Sequence, residues 1–308
     1  MKIPITQSEK WHKLQQDLNE ESFLETGKDY QYLAIVKNTP LCTYLYCPYG
    51  PIADSKEGFI SAIESLKQLA KNYSAAFIRV EPFEEDQRKL LPKEAVKSKD
   101  LNPKETWLLD LKGDKDELLS KLPSRLHRYY KSAAKKGITI EKSKNPNDIT
   151  KLLNLQQALA EKKGINTFSE AYLKTELKQP FATLYLVNYK DQETGKEELV
   201  AAGLVFDDDT TRYNLQGAQS ELGRKLHATG ILTIELILDA KEKGLELFDF
   251  WGIAPEDAPK DHPWAGFTTF KKTFDGYQMN HAGTYDIVLS PLKYKLYKST
   301  RKINRLVR

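Results

Sequence analysis

The chain has 308 residues, of which 40% are hydrophobic and 29% charged, and a formal net charge of +4. That length exceeds one ordinary compact core and suits two domains of about 150 residues each. No apolar run of about 18 residues is present to span a membrane, the amino-terminal MKIPITQSEKWHKLQQDL lacks the apolar core of a secretory signal, and Cys42 and Cys47, with no matching histidine pair, form neither a zinc site nor a disulfide framework. Reduced thiols in a cytoplasm are the simplest account of the cysteines, and a cytoplasmic location is expected.

In chain order, Ser8 to Asn19 reads as a helix with Trp11, Leu14 and Leu18 on one side. Tyr32–Val36 and Leu41–Tyr46 are strand-like, with Asn38 to Pro40 as their turn. Cys47-Pro48-Tyr49-Gly50-Pro51 is a rigid loop. Glu57 to Asn72 is an amphipathic helix facing Phe59, Ile63, Leu66 and Leu69–Ala70 inward. Ala75 to Val80 and Trp107 to Leu111 are strands, ended by Pro82 and Gly113. Glu117 to Lys136 is helical, interrupted near Pro123 and closed by Gly137, and Ile138 to Lys142 is a strand.

A second round follows. Pro146 to Lys163 and Ser169 to Lys178 are helices. Thr183–Tyr189 and Leu199–Phe206 pair as a hairpin around Gln192–Gly195. Arg212–Gln216 is a strand, Gly230–Lys243 a helix ended by Gly244, and Leu247–Phe250 a strand. Helix–strand–strand–helix–strand thus occurs twice. From Lys293 to Arg308 there are seven basic residues and no acid. Leu292, Leu296, Ile303 and Leu306 repeat there at helical spacing. The helix either contacts anionic phosphates or lipid heads through its cations, or docks on the core with its lysines solvated; both hold if the two faces divide the work.

The densest stretch is Asp249 to Gly276. It gathers Trp251, His262, Trp264, Phe267, Phe270 and Phe274 around Lys271 and Lys272. An aromatic wall with a lysine aimed into it suits oxyanion stabilisation in acyl transfer, because a cation gains strength where water is excluded. A turn-rich loop with solvated lysines fits the same composition.

Three motifs here, Asp249-Phe250-Trp251-Gly252-Ile253, His262-Pro263-Trp264-Ala265-Gly266 and Phe270-Lys271-Lys272-Thr273-Phe274-Asp275-Gly276, resemble the carboxy-terminal signature of the Fem (FemABX) peptidyltransferases. Asp275 stands where the family has glycine. The resemblance extends to Pro48-Tyr49-Gly50-Pro51, Arg79-Val80-Glu81-Pro82, Thr106–Leu111 and the helix from Ser124 to Gly137, and so covers nearly the whole chain. It implies an α/β (α+β) fold of two tandem GNAT-like acyltransferase domains without a long coiled-coil arm. The first would span 1–143, completed by a returning carboxy-terminal helix at 285–308, and the second 144–284. It further implies a peptidoglycan aminoacyltransferase. An aminoacyl-tRNA would be the donor, a peptidoglycan precursor (lipid II or UDP-MurNAc-pentapeptide) the acceptor, contact with the anionic membrane would be peripheral, and no cofactor would be needed.

The resemblance assigns Lys271 to the tetrahedral oxyanion and Phe270 to shaping the site, with Lys272 as the alternative lysine. Adjacent residues point apart, so one lysine is expected to face the site. Tyr213 and Tyr172 match tyrosines of the substrate cleft, and also fit as half-buried aromatics with one wet end. Glu81 stands where many members carry an aspartate suited to the acceptor amine; a surface salt bridge is its other account. Where one branch of the family holds a nucleotide diphosphate with an arginine, this chain has Gly164-Ile165-Asn166-Thr167-Phe168. The early helix carrying that branch's phosphate lysine is shortened to Phe23–Lys28, leaving Lys28 or Lys37 as substitutes. These departures favour a lipid-linked acceptor. His227, His262 and His281 are scattered and make no compact metal set; His262 is expected to order its loop. Two other functions compete. One is a coenzyme A acyltransferase, whose phosphate loop is not evident between Gln216 and Gly230. The other is an inactive tandem domain that binds tRNA or membrane through its basic face.

Overall fold

The structure is a computed structural model and describes residues 3–163 and 168–306. The chain divides into two compact units, 1–104 with 280–308, and 105–279.

The first unit opens with α1 (Glu9–Asp17), capped by the Ser8 side chain accepting from Trp11 N. Strands β1 (Ser22–Thr26), β2 (Tyr30–Asn38), β3 (Thr43–Cys47) and β4 (Ile52–Ala53) follow. Helix α2 (Lys56–Asn72) starts at Ser55, whose hydroxyl accepts from Gly58 N, and buries Phe59, Ala62, Ile63, Leu66 and Ala70 against the sheet. Then come β5 (Phe77–Val80) and β6 (Ala95–Lys97).

The second unit contains β7 (Glu105–Asp110), α3 (Lys115–Ser120), α4 (Ser124–Ser132), β8 (Ile138–Ser143), α5 (Ile149–Lys163) and α6 (Glu170–Leu177). It continues with β9 (Ala182–Lys190), β10 (Glu197–Asp207), β11 (Thr211–Gln219), α7 (Glu221–Lys225), α8 (Ala228–Glu242), β12 (Leu247–Gly252), α9 (Ala265–Lys271) and β13 (Tyr277–Asn280). Its sheet runs β13-β7-β12-β11-β10-β9-β8. Between α4 and β8, Gly137 at φ 78° supplies the left-handed turn. A Cβ there would meet the Lys190 carbonyl at 2.2 Å, so β8 enters the sheet at a position open only to glycine.

The chain then returns to the first unit as β14 (Tyr285–Val288) and α10 (Pro291–Leu306). Strand β14 pairs antiparallel with both β5 and β6, giving the first sheet the order β1-β2-β3-β5-β14-β6, with β4 paired to β2. Asp286 of β14 forms a bidentate pair with Arg79 of β5 at 2.7 and 2.8 Å, both side chains buried.

Three expectations change. The boundary placed at 143/144 falls at 104/105, because β7 pairs with β12 and β8 with β9, which assigns 105–143 to the second sheet. The segment Phe23–Lys28 is not a shortened helix. Residues 22–26 form β1, antiparallel to β2, and Glu25 accepts from Tyr30, Tyr32 and Ser65. Helix α10 does not bury Leu292 or Leu296, the first two leucines of its apolar stripe. Leu292 is 73% and Leu296 53% exposed, whereas Tyr297 is buried and packs, with Tyr294, against Phe77. The side chains of Ile303 and Leu306 lie outside the described residues.

Candidate functional site

The second unit brings several of the expected residues to one end and one face of its sheet. Strands β11 and β12 are parallel and pair only over Thr211–Tyr213 and Leu247–Asp249. Beyond that point β12 carries an extra residue: Asp249 opposes Leu108, but Gly252 opposes Thr106. The bulge is strained, with Trp251 at φ 65°, a region bulky residues rarely adopt. Asp249 holds it by accepting from Trp251 N at 2.7 Å.

Helix α9 lies beside this bulge and is bonded to it twice. Thr268 Oγ1 accepts from Ala254 N at 2.7 Å, and Lys271 Nζ donates to Gly252 O at 2.6 Å. Phe270 packs inward, its ring centroid 5.4 Å from that of Phe274, so it anchors the helix behind the lysine. Lys272 is exposed and turns away, its Nζ 5.5 Å from the Trp107 ring.

Lys271 is half-buried, but its ammonium is withdrawn from water. Burial pushes its pKa down to about 8, and nearby Asp249 opposes the shift only in part. Among the described residues no carboxylate forms an ion pair with it. An ammonium has three donors; one engages Gly252 O and two remain for a ligand. The result is a preorganised, partly desolvated cation at the carboxyl end of a parallel strand.

Tyr213 is buried in β11. Its hydroxyl donates to Asp208 at 2.7 Å and its ring meets Trp251 edge-on. A second bulge lies between the Leu204–Gln216 and Val205–Asn214 pairs. Leu215 is the extra residue, so Gln216 shares a face with Leu204, Phe206 and Tyr213. Arg212 points to the opposite face, where it donates to Leu236 O of α8. Tyr172 is therefore tied to the Tyr213 face. Its hydroxyl bonds Glu176 of α6, and Gln216 Nε2 donates to the same carboxyl at 3.2 Å. Gln156 Nε2 donates in turn to Gln216 Oε1 at 3.2 Å, while Gln156 Oε1 is buried without a partner among the described residues. Phe168 is 54% exposed and stacks on Tyr172 at 4.9 Å.

Glu176, Gln216 and Asp249 were not singled out from the sequence as site residues. Glu176 is 3% exposed with no cation beside it among the described residues, and burial raises its pKa to about 8. In the sequence it is one acid on a helix rich in charge, and nothing local marks it as buried.

The residues assigned to the first unit are dispersed. Glu81 is 2% exposed and not part of a surface salt bridge. Its carboxylate accepts from Tyr46 OH, Tyr49 N, Asn102 N, Asn102 Nδ2 and Thr284 Oγ1. Those bonds make it the tie between loops of its own unit, with both oxygens occupied. Lys28 is exposed in the β1–β2 turn, and Lys37 pairs with Glu20 at 2.9 Å near the far end of β2. The strand from Tyr30 to Lys37 alone spans roughly 23 Å at about 3.3 Å per residue, so the two lysines cannot serve one phosphate. The Gly164–Thr167 part of the nucleotide motif lies outside the described residues. His262 Nδ1 accepts from Trp264 N at 3.1 Å and so orders its loop.

Comparison with known proteins agrees with this architecture. Residues 182–302 match the FemAB family model. The chain is 21% identical to the lipid II:glycine glycyltransferase of Staphylococcus aureus (strain USA300), over 87% of this chain and 82% of that protein. The crystal structure of FemX is similar with a TM-score of 0.79 at 19% identity, covering 95% of this chain and 94% of that one. The carboxy-terminal domain of a putative lysylphosphatidylglycerol synthetase from Agrobacterium fabrum follows at 0.57 and 15% identity, covering 93% and 90%. The FemAB resemblance and the mixed α/β fold of two units without a long coiled-coil arm, read from the sequence, therefore stand.

Proposed function

We propose that this relative of the FemAB proteins is an aminoacyltransferase that builds the peptide bridge of peptidoglycan. It would move an amino acid from aminoacyl-tRNA to an amine of a lipid-linked precursor. The observation that carries this reading is Lys271: a partly desolvated ammonium, held by Gly252 O, at the end of the strand that bears the family motif. The similarity to a lipid II:glycine glycyltransferase supports the acceptor class.

The chemistry asks little beyond positioning and charge. The acceptor amine, once neutral, attacks the ester carbonyl of the donor. A C–N bond forms, the carbonyl oxygen becomes an oxyanion, and the C–O bond to the ribose then breaks. The amine proton leaves with the ribose oxygen. Lys271 meets the oxyanion with its two remaining N–H donors, where exclusion of water strengthens the interaction. Gln216 shares the Tyr213 face of the sheet, and Glu176 bonds both Tyr172 and Gln216 there. The tRNA ester is already reactive, so no nucleophilic side chain is required.

The experiment is transfer from radiolabelled aminoacyl-tRNA to matched acceptors, one lipid-linked and one UDP-linked. Phe168 stands where an arginine would grip a diphosphate, and phenylalanine offers no bidentate contact. Faster transfer to the lipid-linked acceptor is expected. A strong preference for the nucleotide-linked acceptor would overturn the acceptor assignment, and absence of transfer to either would overturn the reaction.

A further inference from the structure

A groove of about 700 Å3 opens along α4, lined by Ser120, Ser124, His127, Arg128, Lys131 and Lys135 among others. That volume is in the range of ligand clefts, roughly 300–1,000 Å3. The stretch Ser124–Gly137 holds five basic residues and no acid. Two of the five are committed to Tyr129: Arg125 donates to its hydroxyl at 2.6 Å, and Lys136 lies over its ring. The other three, Arg128, Lys131 and Lys135, line the groove. Among the described residues no carboxylate lies within ion-pair distance of them. His127 Nε2 is buried at the groove without a hydrogen-bond partner among the described residues, an unmet requirement that calls for an explanation.

The opposite face of α4 explains why the cations point outward. Leu126 meets the Gly230 position of α8, where a Cβ would come within 3.0 Å, and Tyr130 OH donates to Glu235 at 2.6 Å. Positions 126, 130 and 133 thus dock, and 124, 128, 131 and 135 form the solvent stripe. The same contacts set direction. Residues 126 and 130 meet 230 and 235 in order, so α4 runs parallel to α8. The first turn of α8 is bonded to the end of β11 by Thr229 N donating to Gln219 Oε1. That is the sheet end where β12 finishes and Gly252 receives Lys271. The cation row therefore starts at the Lys271 end of the sheet and leads away from it.

We propose that this groove is a binding site for the ribose–phosphate backbone of an RNA, the stem of the donor whose esterified end reaches Lys271. The inference deepens the transfer reading and rests on it. A row suits a strand better than a single phosphate. Arg128 to Lys135 spans about 10 Å at helical rise, which faces about three phosphates at 3.4 Å per nucleotide. The Ser124 hydroxyl and the His127 nitrogen add neutral bonds to phosphate or sugar, while Ser120 and Ser132, whose hydroxyls donate to Glu117 O and Tyr129 O, can still accept from ribose hydroxyls.

The test is equilibrium binding of an uncharged tRNA acceptor-stem hairpin, followed by fluorescence anisotropy across a salt series. Wild type is compared with the triple variant Arg128→Ala, Lys131→Ala, Lys135→Ala and with Arg128→Gln alone; circular dichroism verifies folding. Phosphatidylglycerol vesicles form the second arm. We expect the triple variant to bind the hairpin at least tenfold more weakly at low salt. Its slope of log affinity against log salt should be shallower by about 2.7, and that of Arg128→Gln by about 0.9, following the charge released per phosphate contact on a duplex. Vesicle binding should not change. Unchanged RNA affinity and slope, or no RNA binding by wild type, overturns the proposal. Loss of vesicle binding alone also overturns it and makes the groove a lipid-phosphate surface. If only the transfer reading is wrong, RNA binding and its slopes persist although wild type forms no amide product.

Discussion

At the scale of single residues, two groups of opposite charge type have been moved toward neutrality by the same cause. Burial lowers Lys271 to about 8 and raises Glu176 to about 8. For Lys271 the charged form does the proposed work. Activity should therefore be present below about pH 8 and fall as pH rises through it. Lys271→Met should lower turnover by roughly 10²–10³, the usual cost of one oxyanion donor, and remove that alkaline fall. The check is a pH–rate profile of both proteins; near-normal turnover in the variant excludes the role. For Glu176 the prediction concerns stability. Its folded pKa lies above the unfolded value, so the folded state holds the extra proton. Ionisation therefore destabilises the fold progressively as pH rises from about 4.5 to about 8. Glu176→Gln keeps the bonds to Tyr172 and Gln216 without that penalty. Urea unfolding at pH 6 and pH 9 should show wild type losing more stability between the two than the variant. Equal losses would mean the carboxyl is ionised at both.

At the scale of elements, β14 shows how much a short strand can carry. Its four residues separate β5 from β6 and satisfy the ladders of both. Through Asp286 it neutralises Arg79, which would otherwise be a buried, unpaired cation, and Tyr294 of α10 adds a bond to the same carboxylate. Removing one partner of a buried pair costs about 3–5 kcal/mol, before the lost ladder bonds. A chain ending at Met279 should therefore lose hydrogen-exchange protection of the Phe77–Val80 amides, while those of Ala201–Val205 in the second unit stay protected. Equal protection in the shortened and full chains would show that the first unit folds without its returning segment. Helix α10 teaches a related lesson. In its first turns Leu292 and Leu296 stay exposed and tyrosines dock, because Tyr294 and Tyr297 reach both the Phe77 ring and the Asp286–Arg79 pair.

At the scale of the whole molecule, the first unit is discontinuous in sequence and the second is inserted within it. Sequence periodicity located α2, α4, α8 and the β9–β10 hairpin, and the carboxy-terminal motifs drew attention to Lys271. Each of these is a short-range pattern: amphipathic spacing, caps such as Ser55, a left-handed glycine such as Gly137, or a run of matching letters. Such patterns arise because a helix or strand exposes and buries residues at fixed intervals. Tertiary structure alone decided the rest. It moved the unit boundary to 104/105 by pairing β7 with β12. It closed Glu81 inside five hydrogen bonds. It buried Glu176, and turned Lys271 onto Gly252 while Lys272 turned to Trp107. Burial, desolvation and strand pairing depend on residues far apart in the chain, as Asp286 is from Arg79. A sequence read one segment at a time contains those residues but not their meeting.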